Sequence, residues 1–308
     1  MIIPTYNRAR LLGYTLDSLV RQDLPAEEFE VIVVDDGSSD ATMAVVAGYR
    51  GRLNLHYLFQ PDEGFRVARA RNLGIARAAG EICVFVDSGV LPHSGCLRQH
   101  LASHDAVAGP AAVCGYVYCF NLDNEDGELI CRSVDVADPD ASIDAIRSAG
   151  RWPDVRERFY ARFTDDFHDV PAPWYVYWTC NASARTDQVR AVGMFDEAFR
   201  SWGAEDLDLG YRLHRDGARF LVNRSASAMH YPHEKVYDQL ADSLVGNFRY
   251  IARKYGTPIT DLLTIAPPVG FVEINDMIRD RRLPSCADHL RDLDARTARD
   301  VSTSDLRS

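Results

Sequence analysis

An α/β architecture, with helices flanking a mostly parallel sheet, is implied by three features of the first hundred residues. Apolar runs alternate with segments of helical period in a βαβαβαβ rhythm. The intervening segments carry helix start and stop signals, Ser39 or Asp40 before one helix and Gly80 after another. Two apolar runs lead into aspartates, Asp36 and Asp87, at points where strands stop.

In chain order, residues 1–3 read as strand, and 8–22 as a helix with Leu11, Leu12, Leu16, Leu19 and Val20 at helical spacing. Residues 29–34 are a continuous apolar strand running into Asp35-Asp36-Gly37, followed by a helix through Tyr49. Residues 53–59 form a third strand, 67–79 an Ala- and Arg-rich helix, and 82–86 a fourth strand. Ligands of doubly wound sheets bind beyond the carboxyl ends of strands, where Asp36 and Asp87 both fall.

The middle of the chain is less regular. Residues 113–120 read as strand, with an acidic turn at 121–127. Residues 134–173 mix charge and aromatics, so 121–175 is expected to be an insertion that covers a cleft. Strand character resumes at 175–180, and helices follow at 188–192, 206–216 and 237–255. The last is amphipathic through Leu240, Leu244, Phe248 and Ile251. Residues 262–265 and 267–271 either dock on the core or form a dimer face, and the charged end, 288–308, is expected to fray.

Composition narrows the function. The 308 residues are 46% hydrophobic and 26% charged, ordinary for a globular chain. A net charge of -11 excludes a nucleic-acid binder that works through a basic face. Arginine supplies nearly all positive charge, the lysines being Lys235 and Lys254; this reflects base composition or bidentate phosphate contacts. Seven cysteines without CxxC pairing read as reduced side chains rather than a zinc set. No apolar run reaches the ~20 residues of a membrane span, and Met1-Ile2-Ile3-Pro4 carries no leader pattern. A cytoplasmic location is the expectation, with a native start upstream of Met1 left open by the short first strand.

Chemistry concentrates in Trp202-Gly203-Ala204-Glu205-Asp206. Acidic residues in a first helical turn are stabilised by the helix dipole alone. The preceding Trp202 offers a face for stacking on a sugar and Gly203 lets backbone approach a substrate, which favours a chemical role. Asp208 is assigned to the solvated face of the same helix. Aromatics at Trp174-Tyr175-Val176-Tyr177-Trp178 serve either the core or an acceptor ring.

Four ordered blocks, Pro4-Thr5-Tyr6-Asn7-Arg8, Val33-Val34-Asp35-Asp36-Gly37-Ser38-Ser39-Asp40, Ala70-Arg71-Asn72-Leu73-Gly74 and Trp202-Gly203-Ala204-Glu205-Asp206, resemble family 2 glycosyltransferases of GT-A fold. Blocks through His230-Tyr231-Pro232-His233 are similar to the galactosyltransferase and chondroitin-polymerase branch. The resemblance covers 1–255, poorly at 121–175. It implies a GT-A domain over 1–255, with 1–110 as nucleotide-binding half, 111–255 as acceptor half, and 256–308 as a C-terminal helical extension.

The resemblance further implies an inverting transfer from a nucleotide-sugar, expected to be a UDP-sugar, to a hydroxyl of a saccharide or small-molecule acceptor. Pro4, Thr5, Tyr6 and Asn7 would frame the base, and Asp36 would accept from a base N–H, unless it is only a turn residue. Arg71, Asn72, Asp87 and Ser88 would meet the rest of the donor nucleotide. Asn181, Trp202 and Gly203 would border the sugars, Asp206 would be the base, and Glu205 would hold an acceptor hydroxyl. A Mn2+ or Mg2+ ion on the diphosphate would be held by Asp87. The family's Asp-x-Asp triplet is here Asp87-Ser88-Gly89, so His230 or His233 would replace the missing carboxylate. The alternatives are a retaining transferase or a nucleotidyltransferase on the same fold, or a catalytically weak binding module.

Overall fold

The structure, a computed structural model, describes residues 1–120, 126–233, 237–289 and 291. The early apolar runs form β1 (Ile2–Thr5), β2 (Val31–Asp35), β3 (Leu55–Phe59) and β4 (Ile82–Val86). They lie in the order β3-β2-β1-β4, and all of these pairs are parallel. Crossovers through the helices Ala9–Leu19, Thr42–Ala47 and Val67–Arg77 impose that direction. The carboxyl ends of β1, β2 and β4 therefore open on one edge.

Four more strands extend the sheet: β5 (Val90–Pro92), β6 (Ala111–Tyr118), β7 (Asn181–Arg185) and β8 (Arg219–His230). The full order is β3-β2-β1-β4-β7-β6-β8-β5. β7 runs antiparallel to both β4 and β6, β8 runs parallel to β6, and β5 closes the edge antiparallel to β8. The sheet is thus parallel from β3 to β4 and mixed beyond β4. β5 and the twelve-residue β8 have no counterpart among the sequence expectations.

Packing explains the helix positions. Gly74 lets the helix Val67–Arg77 lie close on β1, where a Cβ would stand 2.6 Å from the Ile2 side chain. Asp40 serves two helix starts, accepting from Ala9 N at 3.0 Å and Thr42 N at 3.0 Å. The N-cap position is Ala41, one residue past the expected Ser39 or Asp40, and the Asp40 side chain meets the Thr42 N–H from outside it.

The expected strand at 175–180 is corrected. Pro173–Val176 is a 3-10 turn, and the strand begins only at Asn181. Proline fixes the entry to the turn, and Tyr175 N and Tyr177 N bond back to Ala172 O and Trp174 O. The aromatics divide: Trp174 and Tyr177 are wholly buried core, whereas Tyr175 and Trp178 face a cavity. The described part of 121–175 forms the helices Gly127–Ser133, Pro139–Ser148 and Glu157–Phe163, and Ile130, Ile143 and Phe159 join the main core. The acidic turn, apart from Asp126 and Gly127, lies outside the described residues, as do 290 and all of 292–308 at the end expected to fray.

Asp208 is a second correction. It is fully buried, not solvated, because the helix Tyr237–Tyr255 covers it. Its carboxylate accepts from Lys254 Nζ and Tyr255 OH, each at 2.7 Å, and from Arg212 Nε and Nη2. Lys254 also reaches Asp196 at 2.8 Å, so this network locks the C-terminal helix onto the Glu205–Arg215 helix. The segments 262–265 and 267–271 dock on the core, with Leu262 and Leu263 buried and Ile265, Val269 and Phe271 packed against it.

Candidate active site

The site grows from the shared strand edge. Thr5 ends β1 opposite Asp35, and Asp36 N donates to Thr5 O at 2.8 Å. Asp35 points to the structural side, accepting from Gly37 N, Ser38 N and Tyr57 OH. Asp36 takes the other side, where Arg66 N donates to it at 2.9 Å and Gln60 Nε2 donates to its second oxygen. Burial raises the Asp36 pKa above its ordinary value, and these two donors act against that shift.

Other residues expected to frame a base gather here. Tyr6 OH donates to Asp62 at 2.8 Å and its ring stays exposed. Asn7 takes a positive φ of 50°, and its side-chain Oδ1 accepts from Ser39 N, tying the β1 end to the β2 loop. Ser88 Oγ donates to Pro4 O at 2.8 Å, which brings the β4 end against the same frame. Thr5 Oγ1 is buried with no partner among the described residues. Gln60 and Arg8 belong to this edge too. Arg8 is half-buried and in electrostatic contact with Asp87. Arg8 closes the first motif block but was given no role there, and Gln60 stands outside every block.

Arg71 joins the two halves. It is 3% exposed, and its Nη1 donates to Glu205 Oε1 at 2.8 Å while Nη2 donates to Asp87 Oδ1 at 2.9 Å. Asp87 keeps 40% of its side chain open. Asn72, the next residue, faces elsewhere: its amide bonds both N and O of Phe195 and also Glu197. Asn181 is wholly buried between β6 and the helix Cys96–Asp105, bonded to Ala226 O and His100. The structure brings neither asparagine to the cavity.

That cavity, about 320 Å³, has Arg71, Asp87, Glu205 and Asp206 at its polar end. The helix Glu205–Arg215 starts just after Gly203 and Ala204, at φ of 94° and 71°. Such a turn suits glycine at 203, where a Cβ would meet Leu244 at 3.1 Å. Asn247 from the C-terminal helix donates to Gly203 O at 2.7 Å and also reaches the carbonyls of Ser201 and Trp202. Trp202 remains 40% exposed at the cavity mouth. Asn247 is a further residue the sequence did not mark, since its partners lie 44 to 46 positions away.

Asp206 is strongly perturbed in this cavity. Burial, then the neighbouring Glu205 charge, push its pKa up to about 7, against the opposing pull of Arg71. Its oxygens accept from Leu207 N at 2.8 Å and Thr179 N at 3.3 Å. Glu205 Oε2 is buried with no partner among the described residues. A carboxylate poised near neutrality beside a second, hydroxyl-ready carboxylate can accept a proton from a bound alcohol.

The β5–β8 pair sets His230 opposite Val90, and Tyr231 N donates to Gly89 O at 2.8 Å. The Asp87-Ser88-Gly89 turn and the histidine block are therefore neighbours. His230 and His233 stack with ring centres 5.1 Å apart. Among the described residues, no three His, Cys, Asp or Glu side chains gather to hold an ion unaided. The seven cysteines are all free. No helix among the described residues is long and apolar enough to cross a membrane.

Comparisons with known proteins agree with this layout. The model for glycosyl transferase family 2 matches residues 1–144, and that for the N-terminal domain of galactosyltransferase matches residues 161–234. Validoxylamine A glucosyltransferase of Streptomyces hygroscopicus subsp. jinggangensis (strain 5008) is 37% identical over 262 residues, 85% of this chain and 62% of that protein. Chondroitin synthase of Pasteurella multocida (strain Pm70) is 33% identical over 241 residues, 75% of this chain and 24% of that one. Staphylococcus aureus TarS in complex with UDP-GlcNAc shares the fold at 20% identity. Its TM-score is 0.58, over 82% of this chain and 65% of the TarS chain. The chain thus spans less than two thirds of the length of the first relatives it matches. Both family models fall on the segments that build the strand edge and the acidic helix, and over those segments this chain is similar to glycosyl transferase family 2 and to galactosyltransferase.

Proposed function

We propose that the chain transfers a sugar from a UDP-sugar to an acceptor hydroxyl in one inverting displacement, with Asp206 as general base. The observation that carries this reading is Asp206 itself, a half-buried carboxylate raised to about 7 on the wall of a cavity that also holds Asp87. In the step, Asp206 takes the acceptor proton as the acceptor oxygen bonds the sugar's anomeric carbon. The bond from that carbon to the diphosphate oxygen breaks on the opposite side. Glu205 Oε2 accepts from an acceptor hydroxyl and orients it, and Arg71 fixes Glu205 for that task.

Donor selection falls to the Asp36 edge. A carboxylate there suits uracil or guanine, each of which presents a ring N–H, and the UDP-GlcNAc bound by TarS supports uracil. Asp87 with His230 or His233 suits a divalent cation that completes its coordination with diphosphate oxygens rather than one caged by protein alone. Such an ion, when bound, would neutralise the leaving diphosphate. Thermal unfolding with UDP, GDP, TDP and CDP, each with and without manganese, tests the donor reading. A midpoint rise specific to UDP is expected, and no rise with any nucleotide would overturn it.

A further inference from the structure

The half of the cavity away from the carboxylates has a different chemistry. It is lined by Phe120, Tyr175, Trp178, Leu244, Phe248 and Phe271, with Tyr175 against Phe248 and Trp178 against Phe271 in ring contact. Residues 244–271 lie beyond the segments matched by either family model. We propose that the C-terminal extension and Trp178 form an acceptor subsite for a neutral ring, a monosaccharide or cyclitol unit, entering with an apolar C–H face against Trp178 and Phe271. This subsite rests on the transferase reading above and gives it an acceptor class.

The segment 268–271 is a built wall. Tyr175 OH donates to Val269 O at 2.8 Å. Asn275, fully buried, accepts from Ala172 N at 2.8 Å and donates to Phe271 O at 2.9 Å. Arg158 adds a bond to Glu273 at 2.8 Å. On the facing side, the Trp178 indole N–H is used by Tyr175 O, and the buried Arg156 guanidinium sits 5.3 Å from its ring centre. The Phe271 and Trp178 rings stand 6.3 Å apart at 79°, a corner of two aromatic surfaces.

Size and charge decide the occupant. About 320 Å³ leaves room for the transferred sugar and one further ring near the acidic pair, not for several units of a chain. Among the described residues, Arg71 is the cation on the cavity wall, and both its terminal nitrogens are committed to Asp87 and Glu205. A uronate or phosphate on the ring would face Glu205 and Asp206 with no free described cation to meet it. A neutral ring meets aromatic faces and places its hydroxyls toward the carboxylates.

UDP release from UDP-glucose and UDP-N-acetylglucosamine tests this, measured alone and with methyl glucopyranoside, myo-inositol, glucuronate or ribitol 5-phosphate. The neutral rings should accelerate release above the water background and the anions should not. Phe271→Ala should raise KM for the accelerating ring about tenfold. Phe271→Leu, which keeps the wall's packing, should recover part of that loss and guards against a folding artefact. Acceleration by the anions equal to that by neutral rings, or an unchanged KM in Phe271→Ala, would overturn the subsite. So would intact hydrolysis that no neutral ring accelerates. Absence of UDP binding and of hydrolysis would instead overturn the transferase reading, and the subsite with it.

Discussion

Arg71 and Glu205 are 134 residues apart in sequence, yet their side chains meet at 2.8 Å in the floor of the cavity. The same guanidinium holds Asp87 at 2.9 Å, so one cation spaces the strand-end carboxylate from the acidic helix. Removing it by Arg71→Met strands Glu205 as a buried charge. A loss of about 3–5 kcal/mol in urea unfolding is expected, with the Arg71→Lys variant intermediate because an ammonium cannot make the two-sided fork.

Asp206→Asn should lower kcat by about 10²–10⁴ while UDP still stabilises the protein. If the base lies elsewhere, activity in that variant will stay within a few fold of the parent.

The pH profile follows from the same residue. A base raised to about 7 is protonated below that value, so kcat should climb through neutrality and level off above it. A profile flat from pH 5 to 8 would remove Asp206 from that role.

Acid stability should depend on the buried pair His100 and His104. Burial lowers His100 to about 4, and burial followed by the His100 charge lowers His104 to about 3. Between the ordinary histidine value near 6.5 and these values, the unfolded chain takes up protons that the folded chain refuses. Stability therefore falls as pH drops through that window. His104→Gln should make the denaturation midpoint less sensitive to pH between 6.5 and 4.

Asn247→Ala leaves the Gly203 carbonyl without its 2.7 Å donor and frees the loop that presents Trp202. An unfolding cost of about 1–3 kcal/mol is expected, with a larger fall in transfer than in UDP binding, measured by comparing kcat with the UDP-induced thermal shift.

Much of the donor half was legible because its signals are local. The short apolar runs that lead into Asp35-Asp36 and into Asp87 need nothing beyond their own neighbours to be read as strands that stop there. The aromatic run at 174–178 misled because a strand and a proline-started turn offer the same apolar side chains, and packing against Tyr211 and Phe220 chose the turn. Asp208 misled for a related reason. Its helix face is solvated until Lys254 and Tyr255 arrive from another helix to cover it.

The chain's order of residues determined, on its own, the parallel β1 to β4 half, the family resemblance and the acidic pair, since each rests on short motifs whose periodicity is set by local backbone geometry. Tertiary structure alone decided that Arg71 stands between Asp87 and Glu205, that Asn72 and Asn181 serve the frame, and that the C-terminal segment walls the cavity. Those outcomes are contacts between distant residues, selected by burial and hydrogen-bond satisfaction across the whole core, and no local spacing encodes them.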